Sequence, residues 1–146
     1  MSSRFLLDVN VVLTLLDPQH VFHDAAHQWA ERDPGARWLT CPLVQNGALR
    51  VASQPAYSER LGTASAVREV LAAFCADPRH EFCPDDVSLL DAAHLARPEL
   101  LTSARVTDLY LLALARHHDA RLATFDRRIP AVAIRAGAAA LAVIDA

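Results

Sequence analysis

Five short runs of β-forming residues alternate with stretches of helical period along this chain. That alternation constrains the fold more than any other feature. "RFLLD" (4–8), "RWLTC" (37–41), "HEFCP" (80–84), "RLATFD" (121–126) and "ALAVID" (140–145) read as strands. A helix is expected after the first strand through Leu16, stopping at "DPQH" (17–20). "FHDAAHQWAER" (22–32) is amphipathic, and "DPG" (33–35) ends it. Pro42 suits the first turn of a helix over 43–53. After "QPAYS" a longer helix is expected over 58–76, with Val67, Val70, Leu71 and Phe74 on one face, and a short one over 87–94. "VTDLYLLALARHHDA" opens with Thr107 as a candidate N-cap and Asp108 in the first turn. Strands separated by helices can pair in parallel, so the pattern predicts an α/β fold with a mostly parallel sheet of about five strands. No linker or repeat interrupts it, and residues 1–146 read as a single domain.

The charge balance narrows the function. A net charge of −3 gives no bulk attraction to a polyanion, so contact with phosphate must be local or metal-mediated. The chain contains no lysine; all 14 basic residues are arginine. This excludes a P-loop, a Schiff-base enzyme and a phospho-receiver domain, each of which uses a lysine. The three cysteines, Cys41, Cys75 and Cys83, form no CxxC pair and have apolar neighbours, so they read as reduced core residues. Asp8 and Asn10 fall inside the first apolar run, which suits neither a signal peptide nor a membrane span. The expectation is a soluble cytoplasmic protein with no membrane association.

"FLLDVNVVL" (5–13) sets a carboxylate in an apolar strand. A buried ionised group must shift its pKa or find a cation. In open parallel sheets ligands bind beyond the carboxyl ends of strands, where the strand order reverses. Asp8 ends the first strand, Asp126 ends the fourth just after Thr124, and Asp108 opens the helix before it. If the first and fourth strands are neighbours, the three acids converge. Taken singly, Asp108 reads equally well as a dipole-favouring residue and Asp126 as a turn former. Together they repel, and hard oxygen donors call for Mg²⁺ or Mn²⁺.

"LLDVNVVL", "PLVQNGALRV", "VTDLYLLALA" and "LATFDRR", in this order, resemble the motifs of PIN-domain ribonucleases, and within them the VapC toxins of bacterial toxin–antitoxin pairs. The resemblance spans nearly the whole chain. It implies a PIN-like three-layer sandwich with an acidic Mg²⁺ pocket that cuts single-stranded RNA (tRNA, rRNA or mRNA). It further implies a cognate antitoxin and a homodimer. By motif match Asp8, Asp108 and Asp126 are metal-binding acids, with Asn10, Gln45, Arg50, Thr107 and Thr124 in support. Gln45 departs from the pattern, since many members carry an acid before "NG". An amide brings no charge and takes no proton near neutral pH.

Arg50 is expected to pair with an acid and brace the pocket. Gly47, costly inside a helix, signals close backbone packing. Arg105, Arg127 and Arg128 flank the acids and are the candidates for RNA phosphate. "HDAAH" (23–27) spaces two histidines as in a zinc motif but lacks the Glu and a third ligand, so it reads as a solvated helix face. His117 and His118 suit a helix C-terminus, and Asp85, Asp86 and Asp91 read as solvated. One rival is a non-catalytic PIN-like binding module with a degenerate site at Gln45. Another is an aspartate phosphotransferase of the haloacid dehalogenase kind, which needs an Asp where Asn10 stands.

Overall fold

A computed structural model describes residues 3–55 and 61–145. Its five strands are β1 (Arg4–Leu7), β2 (Arg37–Thr40), β3 (His80–Phe82), β4 (Arg121–Thr124) and β5 (Leu141–Val143). They form one sheet in the order β3-β2-β1-β4-β5, parallel at every pairing. The chain builds outward from β1 to β3, then returns to place β4 on the other side of β1. The order therefore reverses between β1 and β4, with Leu6 opposite Leu122 and Leu7 opposite Ala123. Successive strand residues face opposite sides of a sheet. Leu6 and Leu7 are both fully buried, as are Leu122 and Ala123. Both faces are covered, which makes the three-layer arrangement that parallel sheets require.

The helices are α1 (Val9–Leu16), α2 (His23–Glu31), α3 (Pro42–Ala52), α4 (Ala64–Cys75) and α5 (Val106–His117). α5 packs on β1 and β4, and its Leu109, Leu111, Leu112 and Leu114 are all fully buried. α1 packs on α2 and α3, and α3 on α4. Pro42 stands at the start of α3, as its fixed φ favours. Gly47 is where α3 crosses the start of α1: a Cβ there would lie 2.9 Å from Val9 Cγ2. No described helix is long and apolar enough to cross a membrane.

Three expectations need correction. The helix over 87–94 is only a short 3-10 turn, Ala92–His94. Ser88 and Asp91 take the Leu90 and Ala93 N–H groups onto their side chains, a local alternative that competes with a helix. The helix expected over 58–76 begins at Ala64, capped by Thr63 Oγ1 accepting from Ala66 N–H at 3.2 Å; residues 58–60 lie outside the described residues. Thr107 does not cap α5, because the helix already starts at Val106.

The histidines of "HDAAH" are not a solvated face. His23 Nδ1 lies 2.8 Å from the Thr14 carbonyl and His27 Nε2 3.2 Å from that of Leu15. Those carbonyls belong to the last turn of α1 and lack partners within it. Each ring donates an N–H and closes the end of the neighbouring helix. Cys41 and Cys83 are buried free thiols, and burial pushes both up to about 12. Cys75, also free, is half-buried.

Candidate active site

Asp8 leaves β1 and becomes the N-cap of α1 in extended backbone. Its N–H still donates to the Ala123 carbonyl of β4 at 3.1 Å, so the residue is fixed where the two central strands end. One carboxylate oxygen, Oδ1, accepts from Val9 N–H at 2.8 Å, and Oδ2 accepts from the Thr124 hydroxyl at 2.9 Å. Burial pushes the Asp8 carboxyl above the ordinary range. The Thr124 and Val9 hydrogen bonds oppose this, while the nearby negative charges of Asp108 and Asp126 add to it.

Thr124 is buried and serves two acids at once. Its hydroxyl donates to Asp8, and its oxygen accepts from Asp126 N–H at 3.1 Å. Asp126 Oδ1 then accepts from Arg128 N–H at 2.8 Å, closing a tight turn after β4. Asp108 reaches the same place from the first turn of α5. Arg105 Nη1 lies between these acids, 2.7 Å from Asp126 Oδ2 and 3.1 Å from Asp108 Oδ2. Its guanidinium, with the Arg128 N–H, holds the Asp126 carboxyl below its usual range. Asp108 and Asp126 thus share the Arg105 guanidinium, and Asp8, tied to the same turn through Thr124, lies close enough to feel both charges.

The supporting positions divide. Asn10 is exposed and lines an open depression with Phe125, Asp126, Arg127 and Arg128. Arg128 stands over Asp126 at 3.5 Å with an 84% exposed side chain, and Arg127 pairs with Asp145. Arg105, read from sequence as a phosphate contact, is engaged by the acids themselves. Thr107 is exposed in the first turn of α5 and makes no side-chain hydrogen bond among the described residues. Arg50 is exposed, with no carboxylate partner among the described residues, so it does not brace the pocket. Gln45 turns elsewhere: Nε2 donates to Thr40 Oγ1 at 3.0 Å, and its side chain lines a groove between α3 and α4 with Arg68, Leu71 and Cys75. Thr40 Oγ1 is in turn 2.7 Å from His80 Nε2.

Two of the carboxylates share the Arg105 guanidinium, Asp126 also has Arg128 at 3.5 Å, and the third, Asp8, is raised by burial. This donor set is all oxygen and in charge excess, which fits a hard divalent cation better than a zinc-like ion. Asp8, Asp108 and Asp126 offer the oxygens such an ion would need, although their carboxylates are not drawn as close together as a bound ion would draw them. The pairing of Arg105 with the two acids was not visible from spacing. An arginine three residues before an acid in the first turn of a helix was the only available signal.

The sequence matches the PIN domain family model over residues 5–135. It is 44% identical over 131 residues to Ribonuclease VapC44 of Mycobacterium tuberculosis, covering 90% of this chain and 92% of that protein. It is 37% identical over 121 residues to Ribonuclease VapC39 of the same species, covering 83% and 87%. Among solved structures, M. tuberculosis VapC20, a sarcin–ricin loop cleaving toxin, superposes with a TM-score of 0.58 at 16% identity, covering 90% of this chain and 96% of that one. The VapBC2 complex of Rickettsia felis, bound to a promoter DNA fragment, gives the same TM-score and covers 87% and 93%. By its fold and these relatives, the chain belongs to the PIN-domain family, in the VapC group.

Proposed function

We propose that this protein is a metal-dependent endoribonuclease, the toxin of a type II toxin–antitoxin pair, and that it hydrolyses phosphodiester bonds in single-stranded RNA. The observation that carries the reading is the proximity of Asp8 to Asp108 and Asp126 at the switch point between β1 and β4, with Arg105 as the shared counter-ion of the latter two. These acids would hold Mg²⁺ or Mn²⁺. The bound ion supplies Lewis-acid polarisation and an activated water for in-line displacement.

The chain's own residues supply the rest. Thr124 orients the Asp8 carboxylate and fixes the turn that presents Asp126. Arg128 and Arg127, exposed beside the depression that Asn10 lines, receive the backbone phosphates. Arg105 neutralises Asp108 and Asp126, a role a cation held by those acids would share. With such a cation bound, the Arg105 guanidinium would be available to phosphate. The partners are RNA, a small cognate antitoxin and a second copy of the chain, all in the cytoplasm.

A non-catalytic PIN-like module is the rival, favoured by the Gln45 side chain being bonded to Thr40. Incubating the purified protein with single-stranded RNA, with and without Mg²⁺, separates the two. Mg²⁺-dependent cleavage that disappears in Asp108→Asn supports the enzyme. Intact RNA with a folded, metal-loaded protein leaves the binding module. Expressed without an antitoxin, the wild type is expected to arrest growth and Asp108→Ala to relieve it. Equal growth at equal protein levels would remove the toxin reading.

A further inference from the structure

Away from the acidic pocket, the C-terminal end of α5 gathers two imidazoles and a carboxylate. His117 is the last residue of α5 and His118 its C-cap. The next residue, Asp119, takes φ +53°, and the end is closed by Ala120 N–H on Ala115 O at 2.8 Å and Asp119 N–H on Arg116 O at 3.2 Å. This pairing is the Schellman arrangement, and it fixes the backbone from which both histidines project. The His118 carbonyl is also held by Arg4, whose guanidinium pairs with Glu81, so that positive charge is already matched.

Asp86 comes from the segment after β3. That segment is anchored one residue earlier, where Asp85 accepts from Leu43 N–H at 2.9 Å and from the Tyr110 hydroxyl at 3.0 Å. Asp86 Oδ1 lies 2.7 Å from His118 Nε2. The His117 and His118 rings stand nearly perpendicular, with centroids 5.1 Å apart. His94 packs edge-on against His117 at 6.0 Å. One donor atom from each of Asp86, His117 and His118 lies within 4.8 Å of the other two.

From this geometry we infer that Asp86, His117 and His118 form a second metal site, one that takes Zn²⁺ and ties the end of α5 to the segment after β3. Two imidazole nitrogens and one carboxylate oxygen make a borderline donor set, unlike the all-oxygen set at Asp8, Asp108 and Asp126. Tetrahedral bonds of about 2.0–2.1 Å place donors about 3.3 Å apart, so the Asp86–His118 contact opens slightly and His117 closes in. Side-chain torsions cover such movements. The fourth position stays open to water. His117 lies nine residues along α5 from Asp108, about 14 Å at helical rise, so the two sites load separately. The inference does not depend on the nuclease reading.

The test titrates Zn²⁺ into the full chain carrying Asp108→Asn, which weakens the acidic pocket as a competitor, by calorimetry and by the visible bands of a Co²⁺ substitute. One Zn²⁺ per chain, a higher melting temperature with Zn²⁺ and a four-coordinate Co²⁺ spectrum are expected. Adding His117→Gln with His118→Gln, or Asp86→Asn alone, should weaken binding by about tenfold or more. Asp86 is exposed, so its variant keeps the test readable should the histidine variant fail to fold. Three results would overturn the site: no Zn²⁺ bound by the parent, affinity unchanged in both variants, or affinity lost instead in His23→Gln with His27→Gln.

Discussion

Asp8 carries a cost that the metal-free protein bears alone. Its carboxyl is raised, chiefly by burial, so the folded chain holds a proton there more readily than the unfolded chain does. That contribution favours folding at low pH and is lost as pH rises through the raised value. Asn caps a helix as well as Asp and has no proton to lose. Without metal, Asp8→Asn is expected to melt higher than wild type at about pH 7.5, with the gap closing toward about pH 4. Its cleavage should fall by at least about tenfold, the scale of a disturbed metal shell. Melting curves across pH check the first outcome, and a gap that widens in acid would contradict it. Arg105 acts with the opposite sign. Arg105→Gln removes the counter-ion from Asp108 and Asp126, so the metal-free protein should melt lower. The Mg²⁺ midpoint should also fall, because no side-chain cation competes, while KM for RNA should rise. Calorimetric Mg²⁺ titration reads this without activity, and a weaker Mg²⁺ affinity in the variant would refute the competition.

Among the elements, the contact of α3 with α1 shows how packing reaches the site. Gly47 faces Val9 closely enough that a Cβ would sit 2.9 Å from Cγ2. Valine is stiff in a helix and gives way poorly. Gly47→Ala gains about 1 kcal/mol of helix propensity but meets about 1–3 kcal/mol of overpacking, for a net loss of about 1 kcal/mol. Denaturant midpoints measure it. A stabilised variant would show that α1 can shift, and with it the N-cap residue Asp8. The close approach was legible in the sequence because glycine is anomalous inside "PLVQNGALRV". The sheet was legible too, since each strand is a compact apolar run bounded by turn residues. What was not legible depended on side chains competing for the same backbone groups. The pattern over 87–94 has helical content, yet Ser88 and Asp91 divert its N–H groups. Thr107 has the chemistry of a cap, but α5 begins a residue earlier. The histidines of "HDAAH" were placed on the correct helix, but their role was hidden because their acceptors lie on α1. The family motif located Gln45 but not its orientation toward Thr40.

Across the whole molecule, one polar chain links α3, β2 and β3 through Gln45, Thr40 and His80. Burial pushes His80 below its ordinary value. It therefore contributes stability above about pH 6.5 that is lost as pH falls from there toward the lowered value. Thr40 accepts from Gln45, which leaves its hydroxyl proton for a neutral His80 or for Cys75 Sγ at 3.7 Å. In Gln45→Glu the carboxylate accepts from Thr40 instead, turning the hydroxyl away and favouring imidazolium. The His80 pKa should rise, with the onset of acid unfolding displaced to match, as imidazole NMR shifts would report. A tighter Mg²⁺ midpoint with an unmoved His80 would place position 45 in the acidic pocket after all. The hydrogen bond from Thr124 to Asp8 joins residues 116 positions apart. It sets a clock on this protein. Asp8 is synthesised 116 residues ahead of Thr124, and Asp126 follows two residues after that. Pairing such distant segments is slow, because the ends of a long loop must meet before any contact rewards them. A growing chain therefore carries an acid with nothing to act beside it. The acidic cluster can therefore assemble only after the segment that carries Thr124 and Asp126 has been made, so the chemistry of Asp8 waits on a contact formed across most of the fold.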